Sequence, residues 1–463
     1  MSRKSEYTHE YTHILKNDKR CMDDAFDFCE DYKDFMNASK TERECTNRII
    51  EMAKENGYVE FDKSITSVSQ GKKFFVNNRG KSVILITIGK EKIDKGVNFV
   101  ISHIDSPRLD LKPNPVYECE DIAYFKTHYY GGIKKYQWPT VPLSMHGRIF
   151  REDGSFVDIS LGENDDEPKF IITDLLPHLA KEQEKRTLGE GVTGEELNIV
   201  IGSIPIIDTD EEIKEAVKEN TLKILYETFK IKEKDFARAE IEFVPASKAT
   251  DIGFDKSMIA AYGQDDKVCA YPALIAEIEN EKPVKTSVTV FTDKEEIGSE
   301  GNTGMKAEYL FEVMEDLADI QKVKVRDCYR NSICLSSDVN SAYDPTFADV
   351  FEKRNSSHIN RGVVLTKYTG HAGKSGSNDA SAETMAKVIK LMDDRNVVWQ
   401  IGELGKVDIG GGGTIAKFVS RRNIDTIDVG VAVLSMHSPY ELTSKLDIYH
   451  TYLAYKAFLL NNN

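Results

Sequence analysis

Five short runs in this chain are apolar almost from end to end: "SVILITIG" (82–89), "VNFVISH" (97–103), "SVTVFTD" (287–293), "SICLSSD" (332–338) and "VGVAVLSMH" (429–437). A strand with one face in water alternates apolar and polar residues, so runs this continuous read as strands covered on both faces. Helical patterns at 266–280, 303–319, 378–394 and 444–460 alternate with them. The alternation predicts an α/β fold, with a mostly parallel central sheet and helices on both faces. Upstream, "NASKTERECTNRIIEMAKENGY" has two capping-box spacings, Ser39 with Glu42 and Thr41 with Glu44. An apolar face of Ile49, Ile50, Met52 and Ala53 follows, and Gly57 suits a C-terminal cap.

Residues 109–245 break this rhythm with short β-like pieces and one charged helical stretch at 208–235. They predict a β-rich domain inserted into an α/β domain made of 1–108 plus 246–463. At 463 residues the chain is long enough for such an arrangement.

Charge narrows the partners. A formal net charge of −16 argues against nucleic acid, whose binding needs clustered Lys and Arg, and against docking on an anionic membrane. No apolar stretch approaches the roughly 20 residues of a membrane span. The first 24 residues carry no secretory apolar region. The seven cysteines are odd in number and lack CxxC spacing, which suits reduced thiols in a cytoplasmic protein.

The ends of the buried runs carry the chemistry. His103 and Asp105 follow the second run; Asp293, Glu295 and Glu296 follow the third; Asp338 ends the fourth and His437 the fifth. Ligands of open α/β sheets bind outside the carboxyl ends of the strands, and parallel strands present those ends on one edge. Imidazole with several carboxylates and no thiolate suits Zn²⁺, Mn²⁺ or Co²⁺ in a hydrolytic site. Two histidines and at least three acids exceed what one ion needs and suit two ions.

Other positions join this list. Asp105 lies two residues past His103 and is placed to orient its ring. In "GQDDKV" (263–268) an Asp entering a helix suits a bridge between two ions, and Asp265 and Asp266 stand level on pattern. Glu295 and Glu296 follow the strand rather than lie within it, so both can face one site. "DIGGGGTIAKF" (408–418) reads as a flexible loop that lets substrate backbone approach Gly411 and Gly412 closely, and Lys374 in "YTGHAGKSGSNDAS" is available to an anionic group.

In order along the chain, "YKDFMNASKTERE", "SHIDSPRLDLKP", "PHLA", "GQDD", "DKEEIGSEG", "SSDVN", "GGGGTI" and "MHSPYE" resemble the aspartyl aminopeptidase family of dinuclear-zinc aminopeptidases. The resemblance implies hydrolysis of the N-terminal residue from peptides, with two divalent ions per subunit: zinc, or cobalt or manganese in its place. It implies that His103, Asp265, Glu296, Asp338 and His437 are metal ligands, with Asp265 bridging. His103 and Asp338 would hold one ion and Glu296 and His437 the other. Asp105 would orient His103 and Glu295 would be the general base. His178 in "DLLPHLAKE" would reach the active site of a neighbouring subunit, and the inserted domain would form dimers within a tetrahedral dodecamer. The sequence departs from the family pattern after the bridging Asp ("DKV") and after Asp338 ("VNSAYDPTF"), which leaves the preferred N-terminal residue open. A carboxypeptidase or amide deacylase on the same kind of sheet, and a peptide-binding protein without catalysis, are the rival readings.

Overall fold

A computed structural model describes residues 7–17, 19–62, 64–207 and 213–460. Nine strands form its central sheet. Four of them, Ser287–Thr292, Asn98–His103, Ile333–Ser336 and Asp425–Gly430, lie side by side and parallel. The sheet is mixed rather than uniformly parallel. Strand Ser82–Thr87 runs antiparallel to Ser287–Thr292, and Val363–Thr366 antiparallel to Asp425–Gly430, at opposite flanks.

The double covering read from the apolar runs is visible residue by residue. In Ser82–Thr87, Val83 and Leu85 enter one core while Ile84 and Ile86 enter the other. In Asn98–His103, Val100 faces the first core while Phe99 and Ile101 face the second. The first core packs helices Cys21–Ala38, Gln264–Ile278 and Lys445–Leu459; the second packs Tyr309–Gln321. Burying one such side chain contributes about 1.5–3 kcal/mol, so covering both faces roughly doubles what each strand contributes.

Helix Glu42–Glu55 begins as its local sequence dictates. Of the two capping-box spacings, Thr41 with Glu44 is the one that forms: Glu44 N donates to Thr41 Oγ1 at 3.2 Å and Thr41 N to Glu44 Oε2 at 3.1 Å. The predicted run 429–437 does not stay in the central sheet. Its strand stops at Gly430, Ala432–Val433 pair instead with Asn340–Ser341, and His437 lies in a turn. A Cβ on Gly430 would sit 1.9 Å from the Asp338 carbonyl oxygen, so backbone crosses backbone there and the chain changes sheet. The helix expected at 303–319 starts only at Tyr309. The one expected at 208–235 spans Ala216–Phe229, and residues 208–212 of that expectation lie outside the described residues.

A second sheet has seven strands, antiparallel throughout, all drawn from residues between Arg108 and Pro245. It has its own apolar core, which includes Leu109, Phe125, Trp138 and Phe243. Among the described residues no helix is long and apolar enough to cross a membrane.

Candidate metal centre

Parallel register brings the strand ends together. His103 is the last residue of its strand and pairs across to Thr292, so the turn after Thr292 starts beside it. That turn, Glu295–Ile297, carries both glutamates. Asp338 comes two residues past its strand, and Asp265 lies in the first turn of helix Gln264–Ile278.

Asp265 stands between the two histidines. Its Oδ1 lies 3.2 Å from His103 Nε2 and its Oδ2 3.1 Å from His437 Nε2. On the first side, Asp338 Oδ1 is 3.9 Å from His103 Nε2; on the second, Glu296 Oε1 is 3.4 Å from His437 Nε2. Candidate ligand atoms of His103, Asp265 and Glu296 lie within 4.8 Å of one another, as do those of His103, Asp266 and Asp338. Asp266 is also used differently: His103 N donates to its Oδ2 at 3.3 Å.

The remaining ring nitrogens are held by acceptors. His103 Nδ1 lies 3.0 Å from the Asp105 carbonyl oxygen and 3.4 Å from Asp105 Oδ1; His437 Nδ1 lies 2.9 Å from the Gly132 carbonyl. An N–H donated at Nδ1 leaves the Nε2 lone pair free for a cation. The Asp105 carboxylate therefore does more than the expected orientation of His103. It also accepts from Glu295 N (3.1 Å), Glu296 N (3.2 Å) and the Tyr130 hydroxyl (2.8 Å).

The acids of the cluster crowd one another. Burial raises Asp266, Glu296 and Asp338 well above the usual carboxylate range. Burial, helped by the charges of Asp105 and Asp265, pushes Glu295 up to about 7. Burial pushes the imidazole of His437 down, but Asp265 and Glu296 outweigh it and raise it to about 10. So many acids around two imidazoles cannot all ionise alone. Asp265 Oδ1, Asp266 Oδ1 and Glu296 Oε1 are buried without a hydrogen-bond partner. Orphaned carboxylate oxygens beside free imidazole nitrogens form a donor set that fits divalent cations of the zinc type.

The structure leaves other predicted residues apart. Asp293 turns away, onto Lys294 N, Lys294 Nζ and Thr303 Oγ1. Lys374 and Gly411 border a cleft of about 50 Å³ with Tyr368, His371 and Glu403. Lys374 is engaged there by Asp379 at 3.2 Å and lies over the Tyr368 ring. Gly411 and Gly412 are not a free loop: they pair with His371 and Gly370, and it is the Gly370 carbonyl that a Cβ on Gly411 would meet, at 2.3 Å. His178 is exposed on an irregular segment of the second sheet's domain.

Sequence reasoning missed Glu441. Buried, it accepts from His437 N at 2.7 Å and from Asp265 N at 3.1 Å, so one carboxylate ties two ligand segments together. Its signal was its place in "MHSPYE", four residues past His437. Lys417, at the end of the glycine-rich segment, was also missed; its charge acts on Glu295.

Known proteins resemble this chain over nearly all its length. The sequence model of the aminopeptidase I zinc metalloprotease family (M18) matches residues 35–459. A probable M18 family aminopeptidase 1 of Clostridium acetobutylicum is 46% identical over 453 residues, covering 96% of this chain and 97% of the relative. The crystal structure of an M18 aminopeptidase from Thermotoga maritima superposes with a TM-score of 0.93 at 43% identity, covering 98% of this chain and 99% of the other. The mApe1 dodecamer of S. cerevisiae, at 23% identity and a TM-score of 0.75 over 94% and 96% of the two chains, shares the fold.

Proposed function

The chain belongs to the aminopeptidase I zinc metalloprotease family (M18), and we propose from that premise which of its residues do the work. It is an aminopeptidase, removing the N-terminal residue from peptides. His103 and Asp338 would hold one divalent ion and Glu296 and His437 a second, with Asp265 shared between the two pairs. The observation that carries this reading is Asp265 itself, whose two carboxylate oxygens face the two histidines at 3.2 and 3.1 Å.

Zinc ions bound there, with cobalt or manganese able to replace them, supply Lewis acidity toward the scissile carbonyl and toward water. The chain's own groups do the rest. Glu295, buried beside His103 and Asp265, takes a proton from the attacking water and passes it to the leaving amine. Asp105 holds Glu295 at its backbone, so the base stays next to the ligand Glu296. The surplus carboxylates receive the free α-amino group, which makes the reaction exopeptidic.

Residues 109–245 form the inserted dimerisation domain on the catalytic domain of 1–108 plus 246–463, and the subunits assemble as a tetrahedral dodecamer of dimers. Exposed Leu175, Leu176 and Leu179 around His178 support a role for that segment between subunits. His178 of the partner subunit then donates to the developing oxyanion. The seven cysteines, six of them buried, form no disulfide among the described residues, which suits a cytoplasmic setting.

Glu295→Gln tests the assignment. The variant is expected to bind metal as the parent does and to lose about 10²- to 10⁴-fold in kcat on an aminoacyl chromogenic substrate. Near-normal turnover would show that another group is the base. N-terminally acetylated peptides should resist the parent enzyme, which separates it from a carboxypeptidase or deacylase.

A further inference from the structure

One loop of the antiparallel sheet reaches into the ligand cluster. It is the end of strand Ile122–Tyr130 and the bend after it, Tyr129-Tyr130-Gly131-Gly132. The Tyr130 hydroxyl donates to Asp105 Oδ2 at 2.8 Å, and the Gly132 carbonyl faces His437 Nδ1 at 2.9 Å. These contacts fall on opposite halves of the centre. Through Asp105 the first acts on His103 and on the turn that carries both glutamates. The second sets the ring of His437 directly.

The loop is built for close approach. Gly131 has φ +73°, and a Cβ there would lie 3.3 Å from Glu296 Cβ. A Cβ on Gly132 would lie 3.3 Å from His437 Nδ1. The Tyr130 ring is fixed by the Arg108 guanidinium, 3.9 Å from its centroid, and Arg108 is anchored by Glu42 and Glu242. Arg108 and Tyr130 belong to the antiparallel sheet, whereas Glu42 opens a helix of the central domain.

We propose that Tyr130, through Asp105, and Gly132, at His437, are positioning residues for the metal centre, so that the seating of the antiparallel sheet sets the affinity of the centre for its ions. The inference rests on the two-ion reading above. Tyr130→Phe removes a single hydroxyl, and with it one of the donors that hold Asp105. Gly132→Ala crowds His437 without touching Asp105.

The test is zinc competition against a chromogenic chelator on the full-length protein and both variants, with thermal unfolding of the metal-free forms alongside. The parent is expected to hold two ions. Gly132→Ala is expected to hold one ion as the parent does and the other about 10- to 100-fold more weakly, and Tyr130→Phe, whose Asp105 supports both His103 and Glu296, to weaken zinc binding by a similar factor, the magnitude typical when a partner behind a metal ligand is lost. Their metal-free midpoints should stay within a few degrees of the parent's, which separates positioning from general destabilisation. Two ions bound with parental affinity in both variants would overturn the inference. Fewer than two ions in the parent would overturn the two-ion reading itself, and the inference with it. If Tyr130→Phe fails to fold, Gly132→Ala decides alone.

Discussion

At the scale of single residues, the centre depends on groups that never touch an ion. Glu441 accepts hydrogen bonds from the backbone of His437 and of Asp265. Glu441→Ala leaves the buried N–H of Asp265 without an acceptor, at about 1–3 kcal/mol, and frees the half-buried N–H of His437 as well. Zinc affinity, read by chelator competition, is expected to fall about 10- to 100-fold; unchanged affinity would show that the two ligand segments hold themselves. The candidate ligands were legible because a His or acid, ordinary at any one strand end, repeats at the ends of four buried runs. Glu441, Tyr130 and Gly132 were not. Each acts by one hydrogen bond to a group far off in sequence, and nothing in their neighbours records that bond.

At the scale of elements, His146 joins two of them. It lies in strand Leu143–Phe150 of the antiparallel sheet and contacts Glu44 of helix Glu42–Glu55 at 2.8 Å and Glu163 at 3.2 Å, with Lys40 near Glu163. Burial pushes its imidazole down, but the hydrogen bonds to Glu163 and Glu44 outweigh it and raise it to about 9. The folded state therefore binds the proton more tightly than the unfolded chain, where the value is 6.5. The stability this contributes is complete below about pH 6.5 and is lost as pH rises through about 9, up to about 3 kcal/mol. Urea unfolding across that window should show the decline in the parent and a flatter profile in His146→Gln. Equal slopes would place the pH dependence elsewhere. Elements with local signals were legible: the Thr41–Glu44 box starts its helix where the spacing put it. The run at 429–437 misled because its break at Gly430 is imposed by the Asp338 carbonyl, which lies two residues past a different strand.

At the scale of the whole molecule, exposed apolar side chains concentrate on the segment around His178, where Leu179 is 68% and Leu188 67% exposed. Exposed apolar side chains so close in sequence are what an interface between subunits would cover. If His178 serves a partner's site, His178→Ala should keep the parent's assembled mass by light scattering and its metal content, yet lose kcat. A monomeric parent, or a variant of full activity, would remove the proposed role. The fold class and the gathering of His and acid residues at the strand ends were readable in the sequence alone, because double-sided burial and strand-end residues are written in contiguous runs. The tertiary structure decided the rest: which oxygens of Asp265 face which histidine, that Asp105 holds the catalytic turn, and that the antiparallel sheet touches both halves of the centre. Those are distances between segments far apart in the chain, and only packing sets them.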